Sequence, residues 1–464
     1  MKKGSPFGII ESTQKTTQKE AFMGSIIENI GLKSNKEIEV NFDGGDLSSD
    51  SGLLLMKEFL HTLGLPHIIS EHLHTAGDAV RRIHSDAENL LQLLFQFFAA
   101  YFNDDHADDL AHESVITECV GKNKLASQPT LSRFFNRMTD ETIKQFWEIM
   151  RQLRNAVYQI EGMPRNMLLD LDSTLIDAFG KQEGSKYNNH YNSVGFHPLM
   201  CFDGFTGDLL RAWFREGTDY CSKGIASLLE PLLDELKADL PGTNFFARAD
   251  SGFATPELYE LLEKHNIGYV IRLKENNVLL KLVKEIELKL YGLTKYNMTD
   301  HAEVYGEFMY QAKSWSKARR VVVKVEKPAG TFLHKYTFIV TNLPISPEYL
   351  VGFYCKRGSM ENFIKECKEG FDANSASSSR FDVNACRFQA HLLAYNVFNS
   401  FRRLVLPDAM KKDRIDTVRF KLFKVASRVV RHSRKLQFRL CSSCVYRKEW
   451  LETLHNIQEL PCVA

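Results

Sequence analysis

Long hydrophobic runs are absent from this chain. The most apolar stretch, "LLQLLFQFFAAYF" (Leu90 to Phe102), carries two glutamines and falls well short of the roughly 20 residues a membrane span needs, so it predicts a buried helix. No sustained apolar run follows the two lysines of "MKKGSPFGII", which excludes a secretory signal and predicts a cytoplasmic protein. A disulfide framework is lacking too: the nine cysteines are scattered and odd in number, the pattern of reduced intracellular thiols. Only Cys441 and Cys444 form a CxxC, and without a second pair at zinc spacing it does not specify a structural metal. No Gly-rich phosphate loop of the Walker type is present, which disfavours nucleotide hydrolysis, and no repeat recurs at solenoid periods. Net charge is nearly lacking, at +1, but the balance hides a separation. From Phe401 to Trp450, Lys and Arg outnumber Asp and Glu by roughly eleven, making that segment the electrostatic candidate for phosphate contact.

What is present is a folded, multi-part chain. Hydrophobic residues at 44% and charged residues at 25% suit a globular protein, and 464 residues suggest about three domains at ~150 residues each. Residues 1–37 read as a polar leader. Residues 38–160 follow a helical pattern and read as a mostly α N-terminal domain. Within it, Pro129 and Thr130 open a helix carrying Ser132, Arg133, Asn136 and Arg137, a pattern shared by helix-turn-helix readers of DNA and by ordinary capped surface helices. After Arg165 strands alternate with helices: "NMLLDLDSTLID", "HPLMCFD" and "DLLRAWFRE" precede a helical run, then "NFFARAD", a helix "TPELYELLEKHN" and "GYVIRL". Two strands bracketing a helix form a parallel βαβ unit, so the sheet is expected to be mixed. Residues 274–344 break the alternation as a β-rich insertion, the pattern resumes over 345–400, and 401–464 read as a basic helical region.

Three carboxylates stand out. Asp170 and Asp172 lie two apart on one predicted strand and share a face. Burying both unpaired is costly, so at least one should meet a cation or open onto a cleft. Asp250 ends the run "NFFARAD", where ligands collect in open α/β sheets, although a plain helix cap has the same appearance. Glu361 lies in "YCKRGSMENFIKECKEGF" (Tyr354 to Phe371). At ~100° per residue, Tyr354, Arg357, Glu361 and Lys368 fall within a helical sector of roughly 60°. A salt-bridged solvated face would share that spacing. Carboxylates from a strand, a strand end and a helix are the oxygen ligands Mg²⁺ prefers, and two such ions serve phosphodiester cleavage or transfer.

The spacing Tyr354, Arg357, Glu361, Lys368 resembles the Tyr-Arg-Glu-Lys signature of insertion-sequence DDE transposases of the insertion-sequence 4-like superfamily. "FDGGDLSSDSGLLL", "LASQPTLSRF", "LDLDST", "HPLMCFDGFTGDLL" and "RADSGF" are similar to the insertion-sequence 1380 family, over about Val40 to Leu404. The resemblance implies an α/β, RNase H-like catalytic core, a mixed five-stranded sheet with flanking helices, split over 161–273 and 345–400 around the 274–344 insertion. It makes Asp172, Asp250 and Glu361 the catalytic and metal-binding carboxylates, with Asp170 the rival of Asp172. It gives Tyr354, Arg357 and Lys368 contacts to DNA near the cleaved phosphate, with Arg248 in support of Asp250 and among the DNA-side residues. Trp315 becomes either a base-stacking residue or packing, and Arg133 and Arg137 DNA contacts of the N-terminal domain. The acidic "NDDHADDLAHES" segment is then helical and non-catalytic.

The implied activity is cut-and-paste transposition. Two Mg²⁺, with Mn²⁺ able to substitute, act on double-stranded DNA: the inverted-repeat ends of the element, bound by a dimer, and the target. A bacterial, nucleoid-associated location and no membrane partner follow. The competing expectations are a catalytically inert DNA-binding relative and a non-transposing RNase H-fold nuclease.

Overall fold

The computed structural model describes residues 30–77, 82–294, 299–433 and 435–463. Of the polar leader expected over 1–37, residues 1–29 lie outside them.

From Leu53 to Glu161 the described chain is mainly helical, in α1 (Leu53–Thr62), α2 (Asp86–Phe98), α3 (Gln128–Asn136) and α4 (Asp140–Glu161), with shorter helices between. Ser85 opens α2 with a capping box: its side chain accepts from the Glu88 N–H, and Glu88 accepts from the Ser85 N–H. The apolar stretch predicted as a buried helix forms the body of α2. Its buried Gln92 is satisfied by Ala126, donating to the carbonyl at 2.9 Å and accepting from the N–H at 2.7 Å. No described helix is long and apolar enough to cross a membrane.

Strands then dominate: β1 (Asn166–Ser173), β2 (Leu199–Asp203), β3 (Leu209–Trp213), β4 (Asn244–Ala249), β5 (Gly268–Leu273), β6 (Ala302–Tyr310), β7 (Arg319–Lys327) and β8 (Lys335–Thr341). They make one mixed eight-stranded sheet in the order β6-β7-β8-β5-β4-β1-β2-β3. Only β1 with β4 and β4 with β5 pair in parallel. Helix α5 (Ile225–Asp239) leads into β4 and α6 (Pro256–Lys264) links β4 to β5, as parallel pairing requires a crossover. The strands of the expected insertion continue the sheet, with β8 antiparallel to β5. Val321, Val322 and Val323 of β7 are all buried, so both faces of that strand are covered. Charged groups inside this layer are paired: Arg211 of β3 meets Glu235 of α5, and Arg154 of α4 reaches Asp239 at 2.8 Å.

The glutamate-bearing segment is three pieces, not one helix: α7 (Pro347–Cys355), α8 (Gly358–Lys365) and a π-helical turn, Glu366–Gly370. Next comes α9 (Phe381–Leu404), buried along most of its length from Val383 to Phe401. It packs on α2, α4 and β3, so N-terminal helices, sheet and C-terminal elements share one hydrophobic core.

The C-terminal region is basic but not wholly helical. A β-hairpin, Ser427–His432 with Lys435–Leu440, stands between α9 and α10 (Arg447–Glu459) and adds Leu47–Ser48 as a third strand. Val429 turns inward while Arg428 is exposed, and the Lys435–Leu440 strand alternates in the same way, the period-two pattern of a half-buried strand.

Candidate active site

The parallel register of β1 and β4 builds the site. Asp170 is level with Arg248, and Leu171 with Ala249. The next residues along the two chains are Asp172, still on β1, and Asp250, just past the end of β4, so two carboxylates emerge at the carboxyl edge of the sheet. Both line a cleft of about 890 Å³ with Tyr191, Tyr220, Cys221, Gly252 and Arg272. Asp250 caps the turn after β4, accepting from the Gly252 N–H at 2.8 Å. A Cβ at Gly252 would lie 2.3 Å from the Cys221 sulfur and 3.1 Å from the Asp250 carboxylate, so any larger residue there would displace the Cys221 side chain and crowd Asp250.

The two aspartates of β1 have opposite surroundings. Asp170 is fully buried and gripped by Arg248, whose Nε donates at 2.9 Å and Nη2 at 2.5 Å. Arg248 also donates to the Phe353 carbonyl at 2.8 Å, tying α7 to the sheet. Asp172 sits at the cleft, and burial pushes its carboxyl up to about 6. Arg357 and the Ser173 N–H oppose that rise, whereas the charges of Asp250 and Asp170 add to it.

Arg357, between α7 and α8, places Nη2 2.8 Å from Asp172 Oδ2. Its Nε and Nη2 are buried without a hydrogen-bond partner, so this is a contact of charges that leaves donors unspent. Tyr354 is buried, and burial raises its pKa, the charges of Arg357 and Arg272 opposing the rise and that of Asp250 adding to it. Lys368, in the π-helical turn, donates to Thr174 Oγ1 at 3.2 Å and to the Leu175 carbonyl at 2.8 Å. It therefore fastens the chain just beyond Asp172. Glu361 is exposed on the first turn of α8 and does not line the cleft.

Other expected residues are placed apart. Arg248, expected to support Asp250 and contact DNA, is 1% exposed and pairs with Asp170 instead. Trp315 is 6% exposed, packed edge-on against Tyr259 and Tyr310 with Arg319 over its ring, so its face is not open to a base. Arg133 is exposed on α3. Arg137 donates to Thr75 and Asp86, each at 3.0 Å. Arg272 was missed by sequence reasoning, although it nears the carboxyl end of β5, where the rule that flagged Asp250 applies equally.

Asp172 and Asp250 fit a hard divalent cation: both offer oxygen, face one cleft and repel each other. Among the described residues, only His301, Glu303 and Glu326 bring three ligand atoms within 4.8 Å of one another, so Glu361 does not complete such a trio here. That other cluster lies at the start of β6 and on β7, and Lys324 pairs with its two carboxylates, 2.6 Å from Glu303 and 3.2 Å from Glu326.

Comparison with known proteins adds a family. Residues 30–462 match the family model described as Transposase DDE domain group 1. No curated protein matches the chain. Among solved structures it is similar to a piggyBac transposase synaptic complex with hairpin DNA, determined by cryo-EM, at 16% identity and a TM-score of 0.44 over 81% of this chain and 80% of that one.

Proposed function

Because the chain belongs to the Transposase DDE domain group 1 family, we propose that it is a DNA transposase that cuts the ends of its own element and joins their 3′-hydroxyls to target DNA. The observation that carries this reading is the pair Asp172 and Asp250, each the residue after the last register pair of two adjacent parallel strands, with Arg357 against Asp172. The order β3-β2-β1-β4-β5 within the larger sheet, with β1, β4 and β5 parallel, supports an RNase H-like core over 161–273 and 345–400. The Tyr354, Arg357, Glu361, Lys368 spacing supports the insertion-sequence 4-like superfamily and its 1380 family.

Asp172 and Asp250 would hold Mg²⁺ or Mn²⁺, and the signature spacing makes Glu361, which stands outside the cleft in this structure, the proposed third carboxylate. When bound, the two ions activate the attacking water or 3′-hydroxyl and stabilise the leaving oxygen. Arg357 holds Asp172 through charge, and its positive charge beside the cleft favours the approach of the scissile phosphate. Tyr354 braces Arg272 at the cleft wall, and Lys368 fixes the end of β1. The protein works as a dimer on two inverted-repeat ends.

The test is a plasmid carrying the gene with its flanking DNA, incubated with the protein and Mg²⁺. Nicks at the element boundary, lost in chelator and in Asp250→Asn, are expected. Binding without cleavage would favour a catalytically inert DNA-binding protein. Cleavage without boundary preference would favour a non-transposing nuclease.

A further inference from the structure

The C-terminal hairpin carries a charge pattern that folding alone does not explain. Its two strands are in register, with Arg428 opposite Arg439, Val430 opposite Gln437 and His432 opposite Lys435. These six residues share one face, and all but the half-buried Val430 are exposed. The other face is anchored: Ser427 and Val429 are buried, and Phe438 and Leu440 pack on the main core. Like charges directly opposite each other across a ladder are destabilising. Nothing answers them here: no Asp or Glu occurs between Asp416 and Glu449. Among the described residues, none of Arg428, Lys435 and Arg439 on this face makes an ion pair, while nearby Lys421 and Lys424 pair with Asp413 and Asp50.

Charge on an edge strand also wards off strand addition. That purpose concerns unpaired edges, yet Arg428 stands where Leu47–Ser48 pairs with its strand on the other side. A sheet that retains an unanswered cationic face on both strands is shaped for an anionic partner.

We propose that this hairpin enters the major groove of duplex DNA as a two-stranded ribbon, a second DNA contact apart from the carboxylate cleft. The B-DNA major groove, about 12 Å wide, admits such a ribbon. Strands of six residues span about 20 Å, enough to follow several base pairs. Arg428 and Arg439 meet phosphate or guanine, and Gln437, against which Arg439 rests at 3.3 Å, is the residue type that reads adenine. The assignment rests on the transposase reading, in which end DNA must be recognised as well as cut.

The experiment uses the full chain and a random-sequence duplex pool of roughly 30 base pairs, long enough for two half-sites a helical turn apart. Arg439→Glu is the discriminating variant: it keeps the edge charged, relieves the repulsion from Arg428 and repels DNA. Its expected result is at least about tenfold weaker binding and a salt slope lower by about one or more, with melting temperature unchanged or raised. Gln437→Ala is expected to keep the slope and lose preference at one selected base pair. Wild-type slope and affinity in Arg439→Glu would overturn the ribbon, as would equal competition by double-stranded RNA, whose major groove is too narrow for it. Aggregation of Arg439→Glu would assign the charges to the fold and overturn it equally. Asp250→Asn, run in parallel, separates the two proposals: it binds like wild type if only the chemistry is lost, and if it still nicks, the carboxylate assignment fails while the ribbon stands or falls on the slope.

Discussion

Asp170 and Asp172 have the same side-chain chemistry, strand and face, and differ by two residues in distance from the strand end. That offset decides their fates, because Asp170 lies level with Arg248 inside the sheet and Asp172 lies beyond it at the cleft. The raised pKa of Asp172 gives a pH-dependent prediction. Its folded value, about 6, exceeds the ordinary 3.8, so the native state holds the proton more tightly than the unfolded chain. Its stability is present below about pH 4 and lost as pH rises through 6. In metal-free protein, Asp172→Asn should therefore be more stable than wild type at pH 7, on the order of 3 kcal/mol, with the difference vanishing near pH 4. Denaturant titrations at the two pH values measure it, and Mg²⁺ should stabilise wild type but not the variant. Arg248 gives a second prediction. Arg248→Met strands a buried carboxylate and should cost about 3–5 kcal/mol, much of it recovered in the Asp170→Leu, Arg248→Met double variant. Recovered stability with an unchanged DNA salt slope would confirm that Arg248 acts inside the fold.

At the scale of elements, the carboxylate segment shows what sequence spacing can and cannot convey. Tyr354, Arg357, Glu361 and Lys368 fall on one stripe of an ideal helix, but the chain breaks at Lys356 and Arg357 and ends in a π-helical turn. Tyr354 is consequently buried, Arg357 and Lys368 half-buried and Glu361 exposed. The main strands of the sheet and the parallel unit around α6 were legible because period-two runs and turn signals are local. Sheet continuity across 274–344 was not, since the pairing of β8 with β5 depends on residues far apart in sequence. The C-terminal hairpin carried a local signal in "RVVRHSRKLQFRL" that the dense positive charge obscured. Lys368 tests the corrected geometry. If it fastens Thr174 and Leu175, Lys368→Met should slow nicking at least about tenfold while the salt slope of DNA binding stays at the wild-type value. A slope lower by about one would instead make Lys368 a phosphate contact.

At the scale of the whole molecule, the sequence divides into segments but the core does not follow that division. Phe59 of α1 meets Phe401 of α9 edge-on at 5.3 Å, and Phe401 meets Phe423 at 6.0 Å. Arg419 ties the same regions by hydrogen bonds, donating to the carbonyls of Phe98 at 2.9 Å, Phe97 at 2.8 Å and Gly370 at 2.6 Å. One buried guanidinium thus joins the end of α2 to the π-helical turn that carries Lys368. Arg419→Met would leave the Phe98 and Gly370 carbonyls without that donor, each worth about 1–3 kcal/mol when buried and unsatisfied, while Phe97 keeps the Ala100 N–H, so a loss of several kcal/mol is expected. Because the helical half and α9 share one core, that loss should appear as a lower midpoint of a single cooperative transition. Limited proteolysis should correspondingly release no stable fragment ending near residue 160. Release of such a fragment, or two separate transitions in Arg419→Met, would show that the N-terminal helices fold independently of the catalytic segment.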